Sequence, residues 1–154
     1  MGTTVRQLMS RQVEVVEPDT TCLAVWEYLT RSGSGLVAVV DDLGRVHGVV
    51  SQSDIALAWL AHSKDLLRMT VLSILTGRLR PRVSVDTSVS RAARIMLDSQ
   101  RDALPVLDTD GALIGVVTHR DILGVVAREA DPTRETEDDT DPAPVSNGSP
   151  HPAR

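Results

Sequence analysis

Apolar positions along the chain alternate between two textures. Val13, Val15 and Val16 form a short β-branched cluster, and Leu36 to Val40 is a longer apolar run. Runs of that length, bounded by turn residues, predict strands. Between them Leu23, Val25, Trp26 and Leu29 recur at helical spacing as far as Ser32-Gly33, where a helix should stop. Pro18-Asp19-Thr20 turns the chain ahead of that helix and offers an N-cap. Asp41-Asp42-Leu43-Gly44 reads as a turn, so Arg45 to Val50 is predicted to pair back on the preceding strand as a hairpin. A second helix should begin near Ser53 or Asp54 and run to about Ala61.

The same order then returns. A strand is predicted over Arg82 to Val85, and Asp86-Thr87 should cap a helix from Ser88 to about Ser99. Leu104 to Leu107 and Ala112 to Val117 flank the turn Asp108-Thr109-Asp110-Gly111, and a helix from about Arg120 to Arg128 closes the unit. Short amphipathic pieces, Thr4 to Met9 and Thr70 to Thr76, precede the two copies. A shift of 67 residues lays GVVSQSDI (48–55) on GVVTHRDI (115–122). It also lays Asp19-Thr20 on Asp86-Thr87, Val39 on Val106, Asp41 on Asp108 and Gly44 on Gly111. Two copies are too few for a solenoid, which needs at least three. The expectation is an α+β fold of two tandem β-α-β-β-α repeats packed about a pseudo-two-fold axis, spanning 3–62 and 63–128. From residue 129 the chain is rich in Pro, Asp, Glu, Ser and Thr. Such a segment cannot bury enough apolar surface to offset its ordering entropy, so 129–154 is expected to be a disordered acidic tail.

Composition narrows the function. The 154 residues include no Phe, one Tyr and two Trp, so the core must be aliphatic and a base-stacking platform for single strands is disfavoured. Residues 1–128 carry 14 acids and 14 Arg or Lys, whereas 129–154 carry 7 acids and 2 Arg, which accounts for the whole net charge of −5. A neutral body has no general attraction for a phosphate polymer. Cys22 is the only cysteine, which excludes an internal disulfide and a cysteine metal site, and it falls on the apolar side of its helix as a small core residue. His47, His62, His119 and His151 lack metal-ligand spacing. Neither a G-x-S-x-G elbow nor a phosphate-loop lysine occurs, and Lys64 is the single lysine, so an enzyme is not expected. Trp26 and Trp59 each fall in a predicted helix, where they pack in the core or at an interface. No apolar run reaches the roughly 20 residues needed to cross a bilayer, and the N-terminus lacks a signal-peptide core, so a cytoplasmic protein with no membrane contact is expected.

The repeated motif has its own chemistry. A glycine ahead of the valines lets a backbone or a flat base approach closely. Thr118 ends a strand and Asp121 lies in the first turn of the next helix, where backbone N–H groups and the helix dipole favour an anion. A carboxylate there can accept both hydroxyls of a ribose. The plainer reading is a capping box: Ser or Thr followed three residues later by an acid, with Asp a poorer partner than Glu.

With the two GVV[ST]xxDI motifs in register and LPVLD at 104–108, roughly residues 3 to 128 resemble a tandem CBS-domain protein, the pair often called a Bateman module. That family is a regulatory fold whose pairs bind AMP, ADP, ATP or S-adenosylmethionine in clefts between the repeats and usually dimerise. The resemblance implies that Asp54 and Asp121 hold a ribose, and that Ser51, Ser53 and Thr118 contact ribose or phosphate. His119 and Arg120 then become phosphate partners in the second copy, whereas Gln52 and Ser53 at those positions are uncharged. The resemblance further implies that the segment leading into the second copy, with Arg78, Arg80, Arg82 and Val83, lines a cleft, and that Leu104 and Pro105 border the base. Arg80 and Arg82 alternate as edge-strand gatekeepers equally well. The first copy departs from LPVLD, with Ala38 in the proline's place, and the Asp121 cleft is expected to be the better phosphate site. The implied protein is a non-catalytic homodimeric sensor of an adenine nucleotide or other adenosyl ligand, signalling to a separate effector protein. The alternatives are an interaction module whose motifs only cap helices and, less favoured, nucleic-acid binding through Arg78 to Arg82.

Overall fold

The computed structural model of the chain describes residues 2–62 and 67–131. The expected acidic tail, from residue 132 onward, and the linker around Lys64 lie outside the described residues. The first half comprises β1 (Val15–Val16), α1 (Cys22–Ser32), β2 (Leu36–Val40), β3 (Val46–Ser51) and α2 (Gln52–Ala61). A short α3 (Val71–Leu75) leads to the second half: β4 (Val83–Ser84), α4 (Val89–Ser99), β5 (Ala103–Leu107), β6 (Leu113–Thr118) and α5 (His119–Ala130).

Each half holds a three-stranded sheet, ordered β1-β2-β3 and β4-β5-β6. The outer pairs β1–β2 and β4–β5 are parallel, and both hairpins are antiparallel. The 67-residue shift survives at the level of register. Leu36 faces Ser51 as Ala103 faces Thr118, and the hairpins carry the same irregularity between Val39 and Val40 and between Val106 and Leu107. Repetition of the hydrophobic pattern has fixed repetition of the pairing, because a one-residue slip would turn every valine outward.

The starts of α1 and α4 fall one residue beyond the predicted caps, whereas α2 and α5 begin at Gln52 and His119, one residue ahead of the expected Ser53 and Arg120. Thr21, not Thr20, caps α1 by accepting from the Ala24 N–H at 3.2 Å. Ser88, not Asp86 or Thr87, caps α4 by accepting from the Arg91 N–H at 3.2 Å. The reason lies in long-range contacts: the carbonyls of Thr20 and Thr87 accept from the backbone of Val71 and Val5, at 2.9 and 2.8 Å.

Those two bonds belong to a reciprocal exchange. Val5, in a single 3-10 turn at Val5–Gln7, is fully buried in the core of the second half, among Val83, Ala92, Leu104, Val106 and Val117. Val71, Ile74 and Leu75 of α3 complete the core of the first half, with Val25, Leu29, Val37, Val39, Val50 and Ile55. The piece leading into each copy therefore covers the other copy. Fully burying a Leu, Ile or Val side chain contributes about 1.5–3 kcal/mol, so each lid supplies a real share of its host's stability.

Candidate ligand clefts

Both motifs form complete capping boxes. In the first, Ser51 Oγ accepts from the Asp54 N–H at 3.2 Å, while Asp54 Oδ2 accepts from the Ser51 N–H at 2.9 Å and its hydroxyl at 3.0 Å. In the second, Thr118 Oγ1 accepts from the Asp121 N–H at 3.3 Å, and Asp121 Oδ2 accepts from the Thr118 N–H at 2.8 Å and its hydroxyl at 3.0 Å. The cap residues themselves are extended, with φ −103° and ψ 168° at Ser51 and φ −113° and ψ 163° at Thr118, and their N–H groups reach the aspartates three positions on.

The second oxygen separates the two sites. Asp54 Oδ1 accepts from Arg101 Nη1 at 3.1 Å, and Arg101 Nη2 donates to Oδ2 at 3.3 Å and to the Val49 carbonyl at 2.6 Å. Arg78 adds a longer ion pair to Oδ1, 3.9 Å. Hydrogen bonds to charged groups contribute about 1.5–3 kcal/mol each, so this fork is a strong tie between the halves. Asp121 Oδ1, by contrast, has no partner among the described residues. Beside Thr118 lies a cavity of about 170 Å³, lined by Ser10, Gln12, Val13, Glu14, Ser34, Leu36, Val116 and Thr118.

The lining corrects the expected assignment of the arginines. Six of those eight residues come from the first half or the segment before it. The segment ahead of β4 does not serve Asp121; its Arg78 reaches Asp54 instead. Arg80 and Arg82 line a separate open cleft of about 670 Å³ at the hairpin tips, with Arg45, His47 and Asp110. The physical reason is the pseudo-two-fold packing, which sets the motif of one copy against the leading segment of the other. The cavity beside Thr118 thus has Glu14 as the only charged residue in its lining, opposite to the cationic surroundings expected for a phosphate, and Asp121 stands behind Thr118 rather than in the lining itself.

Other expected site residues separate as follows. Val83 and Leu104 are core side chains and Pro105 is buried beside them, so none of the three lines the Asp121 cavity. Pro105 has a backbone effect instead. At the matching position Ala38 donates its N–H to the Glu14 carbonyl at 2.8 Å, a bond that proline deletes. His119 stacks its donors elsewhere: its N–H reaches the Asp102 carbonyl at 2.8 Å, and Nδ1 lies 3.2 Å from the same oxygen. His119, Arg120 and Ser53 are exposed and lie outside the cavity lining. The motif glycines admit protein rather than a ligand. A Cβ on Gly115 would sit 2.6 Å from the Ser10 carbonyl oxygen, and one on Gly48 would press on Leu75 at 3.2 Å. Cys22 is fully buried, and that burial pushes its thiol pKa up, which suits a packing residue. Trp26 packs against the first core, whereas Trp59 is half exposed.

The residue the sequence did not single out is Arg101. It sits just before β5 and touches partners 47 and 52 positions away. Its one sequence signal is that the position 67 residues earlier is a serine, Ser34, so the repeat breaks there.

The model of the CBS domain matches residues 5–61 and 80–128. The chain belongs to the CBS domain family. Its two CBS repeats account for the duplicated sheets and the α+β architecture. A CBS domain-containing protein of Dictyostelium discoideum is 29% identical, over 86% of this chain and 97% of the relative. The crystal structure of CBSX2 in complex with AMP superimposes with a TM-score of 0.68 at 28% identity, over 84% of this chain and 99% of that one. The cytosolic domain of the Mg2+ channel MgtE in complex with ATP gives a TM-score of 0.60 at 32% identity, over 77% of this chain but 46% of that one. No helix among the described residues is long and apolar enough to cross a membrane.

Proposed function

We propose that this CBS pair is a non-catalytic regulatory sensor that takes an adenosyl ligand in the cleft beside Thr118 and Asp121. The observation that carries the reading is the uncommitted Oδ1 of Asp121, whose capping partner Thr118 lines a cavity between the halves. Its Oδ2 is spent on the capping box, so the carboxylate is held rigid while its other oxygen stays ready for a ribose hydroxyl. The complexes of CBSX2 with AMP and of the MgtE cytosolic domain with ATP support the adenosyl class. The lining argues within that class for a small or absent phosphate load, because Glu14 repels a polyphosphate and no arginine lines the cavity. Binding would tie the second motif to the first half's leading segment and so bias the angle between the repeats, which a partner protein reads. Dimerisation is supported by apolar side chains left exposed on the outer helices: Leu57, Trp59 and Leu60 on α2, and Leu123 and Val126 on α5. A monomer in sedimentation at micromolar concentration would remove that part of the reading.

The test is a set of melting curves with AMP, ADP, ATP, S-adenosylmethionine and NADH. At least one adenosyl compound should raise the melting temperature, ATP least among the nucleotides, and Asp121→Ala should abolish the rise. That variant also loses its cap, so its ligand-free stability should fall by about 1 kcal/mol. A panel that leaves the wild-type curve unmoved overturns the proposal and returns the motifs to helix capping alone.

A further inference from the structure

The molecule contains its own control for the ligand cleft. A shift of 67 residues carries Val49 onto Val116, Ser51 onto Thr118, Asp54 onto Asp121, and Ser34 onto Arg101. The two hydroxyl–carboxylate pairs match in structure; the Val49 carbonyl accepts from Arg101, whereas the Val116 carbonyl accepts from the Ser10 N–H at 2.9 Å, and the Ser34–Arg101 pair does not match. Arg101 places its guanidinium against the Val49 carbonyl and both oxygens of Asp54, and its side chain is 13% exposed. Ser34 is too short to cross to Asp121. Its hydroxyl donates to the Leu36 carbonyl at 3.2 Å, and the space an arginine would fill remains as the cavity beside Val116 and Thr118.

We infer that Arg101 is an internal stand-in for the ligand in the first cleft, so that each chain takes one adenosyl molecule, at Asp121 alone. The inference rests on the ligand-binding reading above and adds its stoichiometry and the residue that sets it. A ribose presents two neighbouring hydroxyls to a carboxylate. The guanidinium already presents two N–H donors in that geometry, with a full charge behind them. A neutral diol entering the first cleft would have to break three charge-assisted contacts and leave the arginine without a partner in a site largely shielded from water. In the second cleft no arginine stands among the lining residues to be displaced.

The experiment is calorimetric titration of the full chain with AMP and, separately, with S-adenosylmethionine. We expect one molecule per chain for whichever probe binds, and loss of that binding in Asp121→Asn, which keeps the cap geometry but halves the acceptor capacity. Arg101→Met, which keeps the alkyl packing and removes the guanidinium, should raise the count to two per chain. Two molecules per wild-type chain, or one that survives Asp121→Asn, overturns the inference. So does a folded Arg101→Met protein that still binds only one. If Arg101→Met fails to fold, the wild-type count and Ser34→Arg decide: the second arginine should close the remaining cleft, and undiminished binding in a folded Ser34→Arg protein overturns the inference. No heat with either probe sinks the ligand reading itself, a different outcome from a count of two.

Discussion

At Gly115 the structure gives a residue-scale answer to why the motif opens on glycine. Ser10 and Val116 exchange backbone hydrogen bonds at 2.9 and 3.0 Å, and the two chains can approach that closely only without a side chain at position 115. Gly115→Ala should cost about 1–3 kcal/mol, because the opposing atom is backbone and cannot rotate away. Chemical denaturation measures this; a loss under half a kilocalorie would mean that the segment around Ser10 yields easily. The two acidic residues were legible from the sequence because their chemistry is local: a hydroxyl and a carboxylate three residues apart. Arg101 was not, because its meaning depends on Val49 and Asp54 and nothing near it in sequence announces them. Arg78, Arg80 and Arg82 misled for the same reason in reverse. They stand beside the second copy in the chain, whereas packing places Arg78 at the first copy's aspartate.

Among the elements, the hairpins were the most readable, since alternating turns and valines fix both ends of each strand. Their two turns are nevertheless different electrically. Asp41 accepts from the N–H groups of Leu43 and Arg45 at 3.0 and 2.9 Å, from Arg45 Nε at 3.0 Å, and contacts His47 Nε2 at 3.1 Å. The Arg45 backbone N–H above all, helped by the His47 and Arg45 side chains, holds the Asp41 carboxyl down at about 2 against an ordinary 3.8. A depressed carboxyl pKa stabilises the fold above the unfolded value, and that contribution is lost as pH falls through the folded one. Wild type should therefore melt above Asp41→Asn at pH 5 and higher, and the gap should close between about pH 4 and pH 2. A gap that stays constant over that window would show that the turn depends on shape rather than charge. The matching Asp108 keeps the turn bonds, to the N–H groups of Asp110 and Ala112, but has Ala112 where Asp41 has Arg45. The starts of α1 and α4 were misplaced by one residue because local cap signals compete with the cross-half bonds of Thr20 and Thr87, and these are invisible in a window of a few residues.

For the molecule as a whole, the repeat period predicted two like units, and the structure shows two like units with exchanged lids. The 3-10 turn around Val5 seals the second core and α3 seals the first. Boundaries drawn along the chain, at 62 and 63, therefore cut between each core and the piece that closes it. If the chain is divided there, each fragment carries the other's cover. Neither fragment should show a cooperative melt alone, whereas an equimolar mixture should recover one, read by circular dichroism. Independent melting of the two pieces would show that the lids are dispensable. Closure is nevertheless unequal along the chain: every residue of the first core lies between Val16 and Leu75, whereas Val5 stays uncovered until the second core forms. The turn at Val5 waits on residues from Val83 to Ile122 that follow it in the chain, and damage to that core strips the cover from a piece that belongs to the other copy.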